Sequence, residues 1–475
     1  MNRLIQRIHN HTLRCLLFVA LCFGLSSAVY LSWLDRLVST AGADASDWGS
    51  MVAGYLFQAA GLGITVLWLR RQPAGNHLRA FLAVLALLIT VSVPTLVAGS
   101  AAGVMTFGWL MNGLCGAMAG FYLYAVGRRA PENRKSIVFG GGYALATLAV
   151  GLLALIGRGS FLHGPYVLIL YVALSAGLGF FACRSGLLRI SSPEEADPVP
   201  AGAVPKARTV LLAGAVVVLI SLIKNLGYGF PSADIEAGLI PELSRLPYAA
   251  GLIAAGLVQD RNRRNGMLCT LSALILPFLM LGLIGEPVSS TIFWGLDYIF
   301  FAFFSVYRAV LFLDLAKQTG RWELAPLGLL AGRIGDAAGT GVHLLLAGQK
   351  ILLIGVAAAL FIPAVFLLFQ MHRRIYEPEV EQAKREQEIF DEFCKNHDFS
   401  AREKEIFLLL LENNTNPAIA EKLFISGNTV KYHVRNILQK VGCKNRTELQ
   451  QQYQEILHPN TAPSRSEKPS LHIVS

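Results

Sequence analysis

Long apolar runs recur along most of this chain and constrain its fold more than any other feature. Runs of about 17 to 25 residues, the length with which a helix crosses a bilayer, occur about twelve times between residues 15 and 370. Their approximate bounds are 15–34, 52–69, 80–99, 103–126, 136–156, 164–183, 208–228, 244–258, 266–284, 288–312, 324–346 and 350–370. Because a backbone in lipid must satisfy its own hydrogen bonds, such segments fold as helices. The sequence predicts an all-α, polytopic transmembrane bundle of about 12 spans.

The composition agrees with a membrane protein. Of the 475 residues, 54% are hydrophobic and 15% are charged, whereas soluble chains carry about 25% charged residues. The net charge of +10 is first explained by Lys and Arg retained in cytoplasmic loops, so it is weak evidence for nucleic acid. The seven cysteines form no CxxC pair, and we expect neither a disulfide framework nor a metal site. The length of the first run favours a transmembrane helix over a cleaved signal peptide.

The distribution of Lys and Arg predicts the topology. With a cytoplasmic N-terminus, most of these cations fall in inner loops, and an even number of spans returns the C-terminus to the cytoplasm. The longest internal loop, 184–208, is rich in Pro, acidic and small residues, which is typical of a flexible linker. This loop divides the spans six and six. We expect the protein to lie in the inner membrane of a bacterial cell, with both termini in the cytoplasm.

A short motif follows the eighth span: Gly256-Leu-Val-Gln-Asp260-Arg261-Asn-Arg263-Arg264. Together with the six-plus-six array, it resembles the Gly-x-x-x-Asp-Arg-x-x-Arg loop of the major facilitator superfamily. The resemblance implies that Asp260 caps the N-terminus of a neighbouring helix. The matching loop of the first half, Trp68-Leu69-Arg70-Arg71, lacks the acid. The alternative is an inner loop that is merely rich in cations.

Ionisable and strongly polar side chains inside the spans each need a partner or a task, because their insertion costs about 2.5 to 3.5 kcal/mol. The candidates for a ligand pocket are Asn112, Lys224, Asp297, Arg333 and Asp336. Arg333 and Asp336 can pair at i, i+3, and the architecture resembled implies that Asn112, Lys224 and Asp297 face a central cavity. The alternative is a set of interhelical ion pairs that only hold the bundle together.

Residues 399–457 predict a separate unit of four helices. Ser400 with Glu403 forms a capping box, Asn416 caps a helix with Pro417 at N1, and Ser426 caps the third helix. The apolar residues of that third helix share one face. The opposite face carries Asn428, Tyr432, Arg435 and Gln439, with Lys431 at its flank. No acid occurs between residues 428 and 446, and such a surface suits phosphates and the major groove.

The same segment resembles the DNA-binding domain of LuxR-type (NarL/FixJ-type) transcription regulators. The matching motifs are Arg402-Glu403-x-Glu405, Asn416-x-x-Ile419-Ala420, Ile425-Ser426-x-x-Thr429-Val430-Lys431-x-His433, Asn436-Ile437 and Asn445-Arg446-Thr447-Glu448. The resemblance implies that Lys431, Tyr432 and Arg435 meet bases or phosphates, and that Thr429 and Lys440 touch the DNA backbone. Asn413 replaces the usual Gly after the first helix, and Asn tolerates the left-handed conformation needed there.

These patterns predict six segments: a first six-span bundle (1–183), a cytoplasmic linker (184–208), a second six-span bundle (209–374), a connector helix (375–398), the LuxR-type domain (399–457) and a disordered tail (458–475). No enzyme motif or cofactor fingerprint occurs. We expect a membrane-bound, one-component transcription regulator that senses an unknown small-molecule effector or a membrane signal. Promoter DNA, membrane lipid and a second copy of the chain on DNA are its expected partners. The alternatives are a secondary transporter with an appended regulatory domain and, more weakly, a protein-docking module.

Overall fold

The computed structural model describes residues 2–42, 52–73, 75–156, 166–189, 207–227, 241–280, 287–346 and 348–457. It divides into two compact units, Met1–Tyr376 and Glu377–Ser475. Most of the expected linker and the whole expected tail lie outside the described residues.

Within the described residues, the first unit contains twelve long α-helices, in agreement with the number of predicted spans. These are α1 (Asn2–Ala41), α2 (Gly54–Arg71), α3 (Leu78–Val97), α4 (Ala101–Arg129), α5 (Lys135–Ile156), α6 (Tyr166–Ser185), α7 (Ala207–Gly227), α8 (Pro241–Arg261), α9 (Arg263–Met280), α10 (Pro287–Thr319), α11 (Leu327–Leu345) and α12 (Lys350–Tyr376). By length and composition, eight of these described helices can cross a membrane; α2, α8, α9 and α11 are the four that fall short of that measure.

The outer surface of the bundle is apolar, as a lipid-facing surface must be. Large side chains such as Ile169, Phe180, Leu211, Ile351 and Ile362 are mostly exposed. A patch of this kind in water would promote association. Inside the bundle, α5 packs on α8 and α2 packs on α11, and these two contacts join the first six helices to the second six.

Glycines allow some helices to approach closely, as is usual between membrane helices. A Cβ added at Gly61 of α2 would meet the carbonyl of Gly113 in α4, and one at Gly116 would meet the carbonyl of Gln58. Small residues at these contacts therefore set the distance between α2 and α4.

The second unit has five helices: α13 (Pro378–Asn396), α14 (Ala401–Leu411), α15 (Asn416–Lys422), α16 (Gly427–Val441) and α17 (Arg446–Leu457). The capping box at Ser400 and Glu403 is present, and Asn413 has a φ of 62°, as expected. The helix predicted to start after Asn416 begins one residue earlier, with Thr415 at the N-cap. Both residues carry capping side chains, and only the backbone geometry distinguishes them.

The core of the second unit includes the end of α13. Phe390 and Phe393 stack on Phe407 with ring centroids 5.6 and 5.3 Å apart, and Phe393 lies 5.4 Å from the ring of Tyr453. The connector helix therefore folds as part of this unit. The side chains of residues 378–385, which include the apolar positions Val380 and Ala383, lie outside the described residues.

One buried carboxylate links the start of α14 to α16. Glu403 accepts hydrogen bonds from the backbone N–H of Ser400 at 2.8 Å and from Nζ of Lys440 at 2.7 Å. Burial raises the pKa of Glu403, but these hydrogen bonds outweigh it and hold the pKa below its usual value.

We expect Gly61→Ala to lower the midpoint of thermal unfolding of the detergent-solubilised chain by several degrees, because overpacking typically costs about 1–3 kcal/mol. Gly177→Ala is the matched control, since a Cβ there has no atom within 4 Å; its midpoint should stay level or rise slightly. Equal midpoints for the two variants would contradict the close α2–α4 packing.

Because its folded-state pKa is lowered, Glu403 stabilises the second unit above its unfolded-state pKa of about 4.3, and this contribution is lost as the pH falls through the folded-state pKa. Glu403→Gln preserves the capping-box geometry but removes the charge. We expect urea unfolding of residues 377–475, followed by circular dichroism, to show a weaker dependence on pH between about 5 and 3 in this variant. Glu421→Gln, at an exposed position, is the matched control.

Candidate nucleic-acid interface and membrane cavity

The start of α16 fixes the orientation of its side chains. The Ser426 hydroxyl accepts a hydrogen bond from the backbone N–H of Thr429 at 3.1 Å and lies 2.8 Å from the Thr429 hydroxyl. Val430 and Ile437 are fully buried on the inner face. The helix start and the inner face agree with the sequence prediction.

The opposite face of α16 is open to solvent. Asn428, Lys431, Tyr432 and Arg435 are exposed, and Thr429 is half-buried. Tyr432 has 59% of its surface accessible, although tyrosine is normally more buried. Within the described part of the chain, neither Lys431 nor Arg435 forms an ion pair. Their charges are thus available to an anionic partner, and their contact with DNA remains a prediction.

Lys440 and Arg446, two other cations of this segment, have contacts inside the domain. Lys440 binds Glu403 and also donates to the carbonyl of Asp398 at 2.8 Å. Arg446 donates to the carbonyls of Asn414 and Leu410 at 2.6 and 2.8 Å, which satisfies the C-terminal end of α14. The sequence did not predict that Lys440 would serve the fold, since the acid that binds it lies 37 residues earlier.

The first unit contains a cavity of about 280 Å³ between its two halves, lined by helices α1, α2, α4 and α5 and by α8, α10 and α11. Of the predicted pocket residues, Asn112 and Arg333 line it. Asn112 accepts a hydrogen bond from Nε2 of Gln58 at 2.7 Å, so an amide pair forms part of the wall.

The second cation on the wall is Arg308, which was not among the predicted pocket residues. Nη1 of Arg308 and Nη1 of Arg333 bind the same Oδ2 atom of Asp336, at 2.9 and 3.0 Å. Asp336 is thus a shared counterion, and its predicted pairing with Arg333 is present. The predicted span ended at residue 312, which placed Arg308 near a membrane face, but α10 continues to Thr319. A basic residue well inside a long apolar helix is the signal that identifies this position.

Lys224 and Asp297 do not line the cavity, in contrast to the sequence expectation. Both are buried. Nζ of Lys224 donates to Oδ1 of Asn225 at 2.9 Å and lies 3.9 Å from the ring centroid of Phe301. The ring of Phe301 is itself part of the cavity wall. Helix α7 packs closely on the glycines of α11, and no residue of α7 is among the described residues that line the cavity.

A polar network lies where α8 and α9 meet α5. Oδ1 and Oδ2 of Asp260 accept hydrogen bonds from the backbone N–H groups of Ser136 and Ile137 at 2.9 and 2.8 Å. These groups belong to the first turn of α5. Asp260 therefore caps this helix N-terminus, where negative charge is favourable, as the resemblance implied.

The network extends to the end of the first unit. Arg263 bonds to Asp260, and its Nε donates to Oδ2 of Asp314 at 2.8 Å. The same Oδ2 accepts from the hydroxyl of Tyr376 at 2.9 Å, and Nζ of Lys135 lies 3.7 Å from Oδ1. We call Lys135, Asp260, Arg263, Asp314 and Tyr376 the junction network, because Tyr376 immediately precedes the second unit.

Both parts of the chain are similar to known proteins. The family described as "Bacterial regulatory proteins, luxR family" matches residues 397–452. The chain is 42% identical over 57 residues to the spore germination protein GerE of Bacillus subtilis, which covers 12% of this chain and 77% of that protein. This chain is also 49% identical over 47 residues to the transcriptional regulatory protein LiaR of Bacillus subtilis. That match covers 10% of this chain and 22% of LiaR.

Solved structures of transporters have the same fold as the N-terminal region. The human organic anion transporter MFSD10 (TETRAN) superposes with a TM-score of 0.53 at 16% identity, over 76% of this chain and 99% of that one. The proton:xylose symporter XylE superposes with a TM-score of 0.58 at 10% identity, over 78% and 96%. By its C-terminal helix-turn-helix domain the chain belongs to the luxR family of bacterial regulatory proteins, and that domain is fused to a polytopic membrane domain with the fold of the major facilitator superfamily.

Proposed function

We propose that this protein is a membrane-bound, one-component transcription regulator that senses a small molecule in its membrane domain and binds promoter DNA with α16. The observation that carries the proposal is the presence, in one chain, of a luxR-family domain and a bundle with a charged internal cavity. A ligand that binds one conformation of the bundle better than another would shift the population of that conformation.

The exposed face of α16 supports DNA binding. Lys431 and Arg435 carry uncommitted positive charge, while Asn428 and Tyr432 offer donors and acceptors to base edges or phosphates. Thr429 sits at the helix start, where backbone N–H groups favour a phosphate. We assign Lys440 first to the fold, and any phosphate contact it makes uses its remaining donor. A palindromic promoter requires two copies of the domain about one DNA turn apart.

The distribution of Lys and Arg supports an inner-membrane location with both termini in the cytoplasm. The DNA-binding unit would then lie in the compartment that contains the chromosome. A promoter must approach the membrane to be bound by the intact chain.

The junction network is the element through which we propose that the bundle acts on the second unit. It joins α5 of the first half to α10 and to Tyr376 at the end of α12. A separation of the two halves at this face would remove Lys135 from Asp314. That change would alter the surroundings of Asp314, which accepts the hydrogen bond of the Tyr376 hydroxyl. Tyr376 immediately precedes the second unit.

A secondary transporter with a regulatory domain is the other candidate, favoured by the transporter fold and the cavity. A transporter could use Arg333, Asp336 and Asp297 for coupling to protons or ions, and a sensor could use the same residues for sensing. Uptake of candidate small molecules into vesicles, measured with the full chain and with a chain ending at Tyr376, distinguishes a transporter from a sensor. Saturable uptake by both chains would support a transporter.

We expect Lys431→Ala and Arg435→Ala to weaken promoter binding of the full chain in nanodiscs by about 5- to 150-fold each, the effect of losing a base or phosphate contact of 1–3 kcal/mol. Fluorescence anisotropy with fragments recovered by genome-wide mapping of bound DNA measures this change. Lys395→Ala, an exposed cation on α13, is the matched control and should bind normally. Salt-independent binding, or no binding to any duplex at low ionic strength, would refute the DNA assignment.

We expect Tyr376→Phe to change the output of a promoter reporter by up to about tenfold, because a hydrogen bond to a charged group contributes about 1.5 kcal/mol. Tyr171→Phe, which removes a buried hydroxyl bonded to the carbonyl of Ala28, controls for loss of stability. Unchanged reporter output from Tyr376→Phe would argue against the junction network as the route of coupling.

A further inference from the structure

We propose that the cavity binds a small organic monoanion, a carboxylate with an aromatic or otherwise apolar body, whose carboxylate is held by Arg308 and Arg333. This inference deepens the proposed function, since it names the chemical class of the effector.

The charges around the cavity leave a positive excess. Arg308 and Arg333 on the wall are both bonded to one carboxylate, that of Asp336, so this cluster holds two positive charges against one negative charge. The two charged residues on the wall itself are both arginines. A surplus cation inside an apolar bundle is costly. A bound monoanion would neutralise it.

The two guanidinium groups have unused donors. Each makes a single hydrogen bond in the described part of the chain, and both bonds end on one oxygen of Asp336. The buried Nε atoms of Arg308 and Arg333 have no hydrogen-bond partner among the described residues. Arg308 has only 6% of its side chain exposed. A planar fork of this kind matches a carboxylate in geometry and charge.

The neighbouring groups hold both arginines in place before any ligand arrives. The guanidinium of Arg333 lies 5.1 Å from the ring centroid of Tyr55, and that of Arg308 lies 4.9 Å from the ring centroid of Phe304. Gly332 makes room for Arg308, since a Cβ there would lie 2.7 Å from Nη1. A site with fixed side chains loses less entropy on binding.

The rest of the wall suits an apolar or aromatic body. Phe23 and Tyr143 stack with ring centroids 3.9 Å apart, and Tyr122 and Tyr248 complete an aromatic side. The cavity volume of about 280 Å³ is just below the range of roughly 300–1,000 Å³ that is typical of small-molecule sites. The ligand is therefore smaller than a typical drug.

A panel of probes tests this inference on the full chain in nanodiscs, by thermal unfolding and calorimetry. Benzoate, phenylacetate and cyclohexanecarboxylate carry the proposed charge, whereas benzamide and benzylamine keep the ring but are neutral or cationic. Inorganic phosphate and chloride supply an anion without an apolar body. We expect saturable stabilisation by carboxylates alone. Equal effects of benzoate and benzamide, no effect of any carboxylate, or an effect of phosphate or chloride as large as that of the carboxylates would overturn the proposal.

Substitutions locate the site. Arg308→Gln and Arg333→Gln each leave Asp336 one guanidinium partner, and we expect each to weaken carboxylate binding by about 10- to 100-fold. Arg333→Lys keeps the charge but loses the fork, so its loss should be smaller. Arg184→Gln removes a cation that lies 5.7 Å from the ring of Phe180, outside the cavity, and should bind normally. Undiminished binding by both glutamine variants would overturn the assignment.

The reporter assay separates this inference from the proposed function. Carboxylate binding without a change in reporter output supports the binding site and counts against its role as a sensor. A reporter that responds to a neutral compound, in a chain that binds no carboxylate, overturns the ligand class and leaves the regulator intact.

Discussion

Ionised side chains inside the membrane unit are stable only where they are paired, and this requirement organises the interior of the bundle. Each cluster uses carboxylates shared between cations: Asp336 serves Arg308 and Arg333, and Asp314 serves Arg263 and Lys135. A carboxylate with two cationic partners recovers more of its desolvation cost than one with a single partner. The two clusters also fix helices from different parts of the sequence against one another. Without the Asp314 cluster, which joins α5 to α10, the contacts between the halves would depend more on apolar packing, which in lipid gives little preference for one arrangement.

The second unit depends on a different principle, because its buried apolar residues form a core of their own. Its stability comes from the aromatic core around Phe407 and from capping of the free N–H and C=O groups at helix ends. Since Phe390 and Phe393 belong to that core, the C-terminal half of α13 is a fixed part of the DNA-binding unit. The chain passes from the first unit to the second between Tyr376 and Glu377.

Local chemistry could be predicted from the sequence, and long-range partners could not. The caps at Ser400 and Ser426 follow from side chains that accept bonds within three residues, and both are present. Asp260 at the start of α5 was expected from a motif. By contrast, Arg308 lies on the cavity wall and well inside α10, which continues beyond the predicted end of its span, whereas Lys224 is not on that wall. Hydropathy reports how deep a residue lies only when the helix ends are known, and it does not report which face of a helix a neighbour covers.

Helix α10 links the cavity to the junction network, because it carries both Arg308 and Asp314. Six residues of α-helix span about 9 Å, so the two side chains belong to one rigid segment. Binding of a ligand at Arg308 that displaces this segment must also move the carboxylate that accepts from Tyr376. The counterion Asp336 lies on α11, which packs on α2 of the first half. A ligand that competes with Asp336 for Arg308 would therefore weaken the ion pair between α10 and α11, which lies within the second half. The contact of α11 with α2, which joins the halves, would then gain in relative importance. Under the proposed coupling, a small change of pairing inside the cavity would reach Tyr376 through one helix and one hydrogen bond.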